Sequence, residues 1–303
     1  MRLVFAGTPK VAVPSLDALM DSGHEVVAVI TRPDAPAGRG RKLTPSLVAQ
    51  RAEELGLEVL KPGHPREPQF QDRLREIAPD ACPVVAYGAL LPQSALDIPT
   101  HGWVNLHFSL LPRWRGAAPV QRAIMAGDSE IGTACFQIVK ELDAGDVYRM
   151  ESQPMPDATA GELLAQLAES GAQQLVRAMD MVAAGEAPTP QPAEGITIAP
   201  KITVEEARID WTRPVRELRN LIMGCSPDPG AWCELDGQRL KVYRAASAEG
   251  PELAPGELAT TKRQAFVGTG EGTLELLEVQ PAGKRRMAAI DWARNAPAGT
   301  VLA

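Results

Sequence analysis

The stretch RLVFAGTPKVAVPSLDALMDSGHEVVAVI (residues 2–30) holds an apolar run, a tight turn, a helical pattern and a second apolar run. RLVFAG is continuous rather than alternating, which predicts a strand buried on both faces. In SLDALMDSG, Leu16, Leu19 and Met20 fall on one helical face and Gly23 supplies a stop. EVVAVIT then reads as a second strand. A strand–helix–strand unit of this kind predicts a mostly parallel sheet covered by helices on both faces. The first turn is Gly7-Thr8-Pro9 and not GxGxxG, so the dinucleotide fingerprint is missing where it is needed. The predicted fold is α/β and Rossmann-like, without NAD.

The same alternation continues along the chain. Residues 45–56 and 67–77 read as helices, and LEVL, PVVAYG and GWVNLHFS as strands, with Pro83 expected to interrupt the strand before VVAYG. TACFQIV and DVYRMES form a strand pair around the loop KELDAGD. Residues 159–184 read as one amphipathic helix, with Leu163, Leu164, Leu167, Leu175 and Met179 facing the core. From Gly185 the stretch GEAPTPQPAEGITIAP is rich in Pro, Gly and Ala and reads as a linker. Beyond it come a short helix around 213–223, a hairpin marked by Asp236-Gly237, and closely spaced short strands. That texture predicts a small OB-like β-barrel. The expected organisation is therefore a Rossmann-like domain over 1–188, a linker over 189–207 and the barrel over 208–303.

Composition narrows the function classes. The chain has 303 residues, 45 % of them hydrophobic, and a formal net charge of −7. No apolar run approaches the ~18 residues of a membrane span, and Gly7, Thr8 and Pro9 cut the first run too early for a signal peptide. A cytoplasmic location is expected. Cys82, Cys135, Cys225 and Cys233 form no CxxC pair and lie at no zinc-ligand spacing, so reduced, buried thiols are expected and no metal site. The acidic balance recommends no polyanion partner globally. A basic stretch, RPDAPAGRGRK (32–42), would have to meet one locally.

Each of the four histidines can be weighed. His24 and His64 are expected at the surface and His101 in a turn. His107 lies on Val104-Asn105-Leu106-His107, where alternation puts Asn105 and His107 on one face at the strand's C-terminal end. In open α/β sheets ligands bind at that end. A satisfied core pair is the bland alternative, but two polar side chains together favour function. The loop SLLPRWRGAAP follows, offering backbone groups and the apolar Leu110 and Leu111 to a flat polar ligand. Arg113 and Arg115 are either solvated or placed for an anion. ELDAGDV supplies Asp143 and Asp146 around Gly145. Asx-turn chemistry alone would account for both, and the functional reading has one of them meeting His107.

NLHFSLLPRWRGAAPVQ followed by LDAGD resembles the 10-formyltetrahydrofolate-dependent formyltransferase family. GTPKVAVPSL, RPDAPAGRGRK, VVAYGALLP, EEARIDW and PDPGAW are also similar to family segments, so the resemblance runs nearly end to end. N-x-H-x-S-L-L-P with the later Asp is shared by many members. The GRGRK loop, AAPVQ and the C-terminal domain point more narrowly to the branch acting on tRNA. Lys10 and Val11 depart from the Glu and Phe more usual there.

The resemblance implies transfer of the formyl group of 10-formyltetrahydrofolate to the α-amine of initiator methionyl-tRNA, with no metal. It implies Asn105 and a protonated His107 as oxyanion donors, and Asp143 as the partner that keeps His107 charged and assists proton transfer. It implies a folate site lined by Ser109, Leu110, Leu111 and Pro112, with Tyr87, Gly88, Leu90 and Leu91 as the opposite wall. Arg39, Arg41 and Lys42 would meet the tRNA on a loop that is mobile or orders on binding, and Lys284, Arg285 and Arg286 form a second basic cluster. A monomer without membrane attachment is expected. The rival readings are a formyltransferase for glycinamide ribonucleotide or an amino sugar, and a non-catalytic RNA-binding module.

Overall fold

The computed structural model describes residues 1–37, 42–297 and 299–303. Two compact units emerge. One comprises Met1–Gly116, Gly132–Gln153 and Leu164–Ile198, the other Ala117–Ile131, Pro154–Leu163 and Ala199–Ala303. Both are assembled from separated segments, where the sequence suggested contiguous ones.

The strands of the first sheet are β1 (Arg2–Gly7), β2 (Glu25–Ile30), β3 (Glu58–Leu60), β4 (Cys82–Val85), β5 (Trp103–His107), β6 (Glu130–Gln137) and β7 (Val147–Pro154). Their order is β7-β6-β5-β4-β1-β2-β3. The pairs from β5 to β3 are parallel, and β6 lies antiparallel to β5. The helices of eight residues or more up to residue 183 are α1 (Val13–Met20), α2 (Leu47–Glu54), α3 (Pro68–Ile77), α4 (Pro119–Ala126) and α5 (Ala160–Ala183). Ser46 caps α2 by accepting from the Ala49 N–H at 3.0 Å.

Alternation along the strands sorts the two faces. Val4, Ala6, Ala28, Ile30, Cys82, Val84 and Trp103 pack with Phe70, Leu74 and Ile77 of α3. Leu106 points the other way and meets α5, where a Cβ added at Gly171 would sit 3.0 Å from its Cδ2. Asn105 and His107 share the parity of Trp103 and so belong to the α3 face. The order also places a topological switch between β1 and β4. There Thr8 donates its hydroxyl to the Tyr87 carbonyl at 2.7 Å, just past the C-terminal ends of both strands.

Two expectations are corrected here. Strand β4 runs through Pro83, which pairs with Val104. The Cys82 N–H points to the Gly102 carbonyl, on the β5 side, so the N–H that Pro83 lacks falls toward β1. The β1 ladder is correspondingly made at Ala6–Val84 and Gly7–Val85 and at an isolated Leu3–Ala81 bridge. His24 is not a surface side chain: it is 5 % exposed, with Nε2 3.1 Å from Asp180 on α5.

In the second unit, Thr159 and Glu162 open α5 with a reciprocal box. Thr159 N–H donates to Glu162 Oε2 at 2.9 Å, and Glu162 N–H reaches back to Thr159 Oγ at 3.4 Å. Those bonds, with Arg244 beyond them, hold the Glu162 carboxyl below its usual range. Helix α6 (Val215–Cys225) packs on α4 at Gly224, where a Cβ would lie 2.6 Å from Met125 Cγ. Strands β8 (Ala231–Leu235), β9 (Gln238–Ala248), β10 (Leu258–Thr260), β11 (Ala265–Gly268) and β12 (Thr273–Pro281) form an antiparallel sheet ordered β8-β9-β12-β11-β10. The β8–β9 turn has Asp236 and Gly237 at φ 51° and 71°, as a two-residue hairpin of the Asp-Gly type requires.

Residues 300–303 close this sheet into a barrel. Ala303 exchanges both backbone bonds with Glu234 of β8, while Leu302 N–H reaches Gly256 at 2.8 Å and Leu258 N–H reaches Thr300 at 3.0 Å beside β10. Leu218, Ile222, Val242, Val267, Leu274 and Val279 fill the interior. Among the described residues, no helix is long and apolar enough to cross a membrane.

Candidate active site

Strand β5 ends at His107, whose side chain is 7 % exposed. Its Nε2 lies 2.8 Å from the Trp114 carbonyl oxygen. A carbonyl only accepts, so Nε2 carries a proton and Nδ1 is the atom whose proton can come and go. Nδ1 faces Asp143 Oδ2 at 3.8 Å, within reach of an ion pair and too long for a hydrogen bond. Asp143 Oδ2 is fixed by the Gly116 N–H at 2.7 Å. The His107 ring meets Phe136 of β6 edge-to-face, at 6.2 Å between centroids. Asn105 pairs in register with Phe136, and its side chain is half-buried on the same face of β5.

The three acidic, basic and amide groups named from the sequence thus gather at one strand end. The expectation for His107 is refined: with Nε2 committed to Trp114, any hydrogen bond it donates to a substrate comes from Nδ1.

The backbone around them is held in an unusual state. Ala86, Trp114 and Asp143 have φ of 47°, 61° and 47°, a region that non-glycine residues seldom occupy. Gly145 is required by close approach, since a Cβ there would run into the Gln137 carbonyl.

The formyl transferase family description matches residues 1–179, and the formyl transferase C-terminal domain description matches residues 201–297. The chain belongs to the formyl transferase family. As a formyl transferase it is 59 % identical over 300 residues to the methionyl-tRNA formyltransferase of Streptomyces coelicolor, covering 98 % of this chain and 97 % of that protein. It is 51 % identical over 308 residues to the methionyl-tRNA formyltransferase of Salinispora tropica, with 100 % of both covered.

Solved structures share the fold at lower identity. HypX from Aquifex aeolicus in complex with tetrahydrofolic acid gives a TM-score of 0.69 at 19 % identity over 96 % of this chain and 46 % of that one. This chain therefore spans about half the length of HypX. The methionyl-tRNA formyltransferase from Clostridium thermocellum gives 0.61 at 14 % identity, over 83 % and 95 %.

Within this formyl transferase the other sequence-named residues are placed as follows. Ser109 is fully buried and donates its hydroxyl to the Arg113 carbonyl at 2.7 Å. Leu111 packs with Ala134 and Phe136, and Pro112 is buried behind it. These side chains shape the turn, which leaves main-chain groups and the half-buried Leu110 for a ligand. Across the switch point, Tyr87 is buried with the α3 face and Leu91 packs against it, whereas Leu90 is 80 % exposed and Gly88 stands at φ 83°.

Arg39 and Arg41 lie outside the described residues. On either side, Ala35–Ala37 and Lys42–Thr44 form an antiparallel ladder, with Lys42 exposed. In the barrel, Arg286 stacks on Tyr243 at 3.4 Å and approaches Glu278 at 3.8 Å. Arg113 stacks on Trp114 at 5.1 Å. No cluster of potential metal ligands occurs among the described residues.

Sequence reasoning missed the contribution of residues 189–198. Thr189 exchanges backbone bonds with Val147 at 2.8 and 2.9 Å, and Thr197 accepts from Trp114 N–H through Oγ at 2.8 Å and from Arg115 N–H through its carbonyl at 2.9 Å. Gln191 lies between them and also bonds to the site's loops. Composition alone marks the segment as a linker. The flanking prolines and one isolated Gln were the only signals of a strap.

Proposed function

We propose that this chain transfers the formyl group of 10-formyltetrahydrofolate to the α-amine of initiator methionyl-tRNA. The observation that carries the chemistry is the placement of His107, with Nε2 spent on Trp114 and Nδ1 turned toward the anchored Asp143. The choice of acceptor is supported by the 59 % identity, over nearly the whole chain, to a protein named methionyl-tRNA formyltransferase.

In this reading the amine nitrogen attacks the formyl carbon, and the carbonyl oxygen takes up the electron pair as the new C–N bond forms. Asn105 donates its amide N–H to that oxygen, and an N–H placed in advance is worth ~10²–10³ in rate. His107 Nδ1 accepts the proton leaving the amine; the resulting imidazolium, stabilised by Asp143, is the charged donor that joins Asn105 at the oxyanion. Collapse of the intermediate breaks the bond to the folate nitrogen, which leaves with a proton returned from His107 directly or through water. The 3.8 Å gap between His107 and Asp143 suits this sequence: the pair attracts only once the ring is charged. Main-chain groups of 109–112, with Gly88 and Leu90 opposite, would hold the pterin.

We assign catalysis to residues 1–188 and tRNA binding to residues 208–303 and to Arg39, Arg41 and Lys42, and we propose a cytoplasmic monomer. The test is direct: protein, formyl-folate and methionyl-tRNA are mixed, and formylmethionine is sought after deacylation. Formylation of an amino sugar or glycinamide ribonucleotide in its place, with no shift of initiator tRNA on a low-salt gel, would hand the assignment to the rival.

A further inference from the structure

We propose that Gln191 is a positioning residue for the reaction, acting through both partners of His107. This rests on the catalytic reading above. The side-chain amide uses every polar end it has. Nε2 donates to the Asp143 carbonyl at 2.8 Å and to the Gly145 carbonyl at 2.7 Å, while Oε1 accepts from Arg115 Nη2 at 2.7 Å and Nε at 3.2 Å. Carbonyls only accept and guanidinium groups only donate, so the amide orientation is unambiguous.

Two loops meet at that amide. One carries Asp143, held at φ 47°, a conformation the backbone leaves unless something fixes it. Gln191 fixes it from the main-chain side while Gly116 N–H fixes the carboxylate. The other loop carries Trp114, Arg115 and Gly116. The Trp114 carbonyl accepts a hydrogen bond from His107 Nε2–H and Gly116 N–H orients Asp143, so the residue between them is the one Gln191 grips. Delivery is stiff: Gln191 sits between Pro190 and Pro192, two residues past the Thr189–Val147 pairing. A single amide thereby sets the distance from Nδ1 to the carboxylate and the carbonyl that fixes the ring.

The test uses the full-length protein with Q191L and Q191E, measuring kcat and KM for formyl-folate and methionyl-tRNA, with D143N, H107A and the double variant D143N/Q191L alongside. Misplacing a reacting group by about 1 Å costs up to about 10²-fold, so Q191L is expected to lower kcat about 10–10²-fold with both KM values within about twofold. Q191E keeps acceptance from Arg115 but turns an oxygen toward two carbonyls, and is expected to lose at least as much. It decides the matter if Q191L does not fold. Because part of the Gln191 effect passes through Asp143 and part through Arg115 and the Trp114 carbonyl, adding Q191L to D143N is expected to cost less than Q191L costs in the parent, though not nothing.

A kcat within about threefold of the parent for both Gln191 variants overturns the proposal, as does a full multiplicative loss in the D143N background. H107A separates the two levels. If H107A keeps its rate, the catalytic reading fails. If H107A is crippled while the Gln191 variants are not, this inference alone fails.

Discussion

Replacing Asp143 by Asn removes one charge and little else. The Asn carbonyl oxygen can still accept from Gly116 N–H, which Asp143 Oδ2 now does at 2.7 Å, so the turn keeps its anchor. What disappears is the attraction of the carboxylate for an imidazolium at 3.8 Å. Both side chains are largely enclosed, 7 % and 16 % exposed. At an effective dielectric constant of about 20–40 the attraction at that distance is about 2–4 kcal/mol. At about 1.4 kcal/mol per tenfold, kcat is expected to fall by roughly 30- to 10³-fold. The effect belongs to the step in which His107 becomes charged, so neither KM should move by more than about twofold. Single-turnover transfer of a labelled formyl group to methionyl-tRNA, quenched and counted as formylmethionine, reads this directly. A fall smaller than about fivefold, or one carried wholly by KM, would refute the idea that Asp143 works by stabilising a charged His107.

Four further outcomes are expected. Charge reversal at Arg39, Arg41 and Lys42 should weaken tRNA binding and flatten its salt dependence by about 0.7–0.9 in slope for each phosphate no longer neutralised, leaving the KM for formyl-folate unchanged in filter-binding and rate assays. G145A drives a methyl group into the Gln137 carbonyl and should cost about 1–3 kcal/mol in a denaturant melt, together with a fall in kcat because Asp143 sits on the same turn. Burial raises the thiol pKa at all four cysteines, to about 12 at Cys225 and Cys233. Native protein at pH 8 should therefore react with a thiol probe at least about 10²-fold more slowly than denatured protein, and faster as pH rises, whereas rapid native labelling at any of the four would contradict their burial. Deleting residues 300–303 removes the backbone bonds to Glu234, Gly256 and Leu258 and the buried Leu302, and should lower barrel stability by about 4–6 kcal/mol, seen as an early separate transition on thermal melting.

Much of this is legible in the sequence, for identifiable reasons. Period-two alternation on Val104–His107 is a strong signal because a one-residue slip would bury the wrong face, and it places Asn105 and His107 correctly on one side of β5. The Asp236-Gly237 hairpin is readable because few other residue pairs tolerate two positive φ values in succession. Interactions without periodicity are invisible. The partner of His107 Nε2 is a main-chain carbonyl, which no residue type announces. His24 looks exposed in sequence because its neighbour Asp180 comes from a distant helix. The Arg113 carbonyl that takes the Ser109 hydroxyl, and the Ala134 and Phe136 that pack on Leu111, are likewise not announced by residue type. Pro83 looks like a break because propensity counts the missing N–H but not which neighbouring strand would have received it.

The strap over residues 189–198 bears on how members of this family can be recombined. The two matched family segments end at residue 179 and resume at 201, so a splice anywhere between looks harmless by sequence. A chimera joined before residue 189 would import a foreign strap onto the native loops at 113–116 and 143–147, and those loops would inherit whatever mismatch that graft carries. Joined after Ile198, the donor brings only its barrel and the host keeps its own clasp.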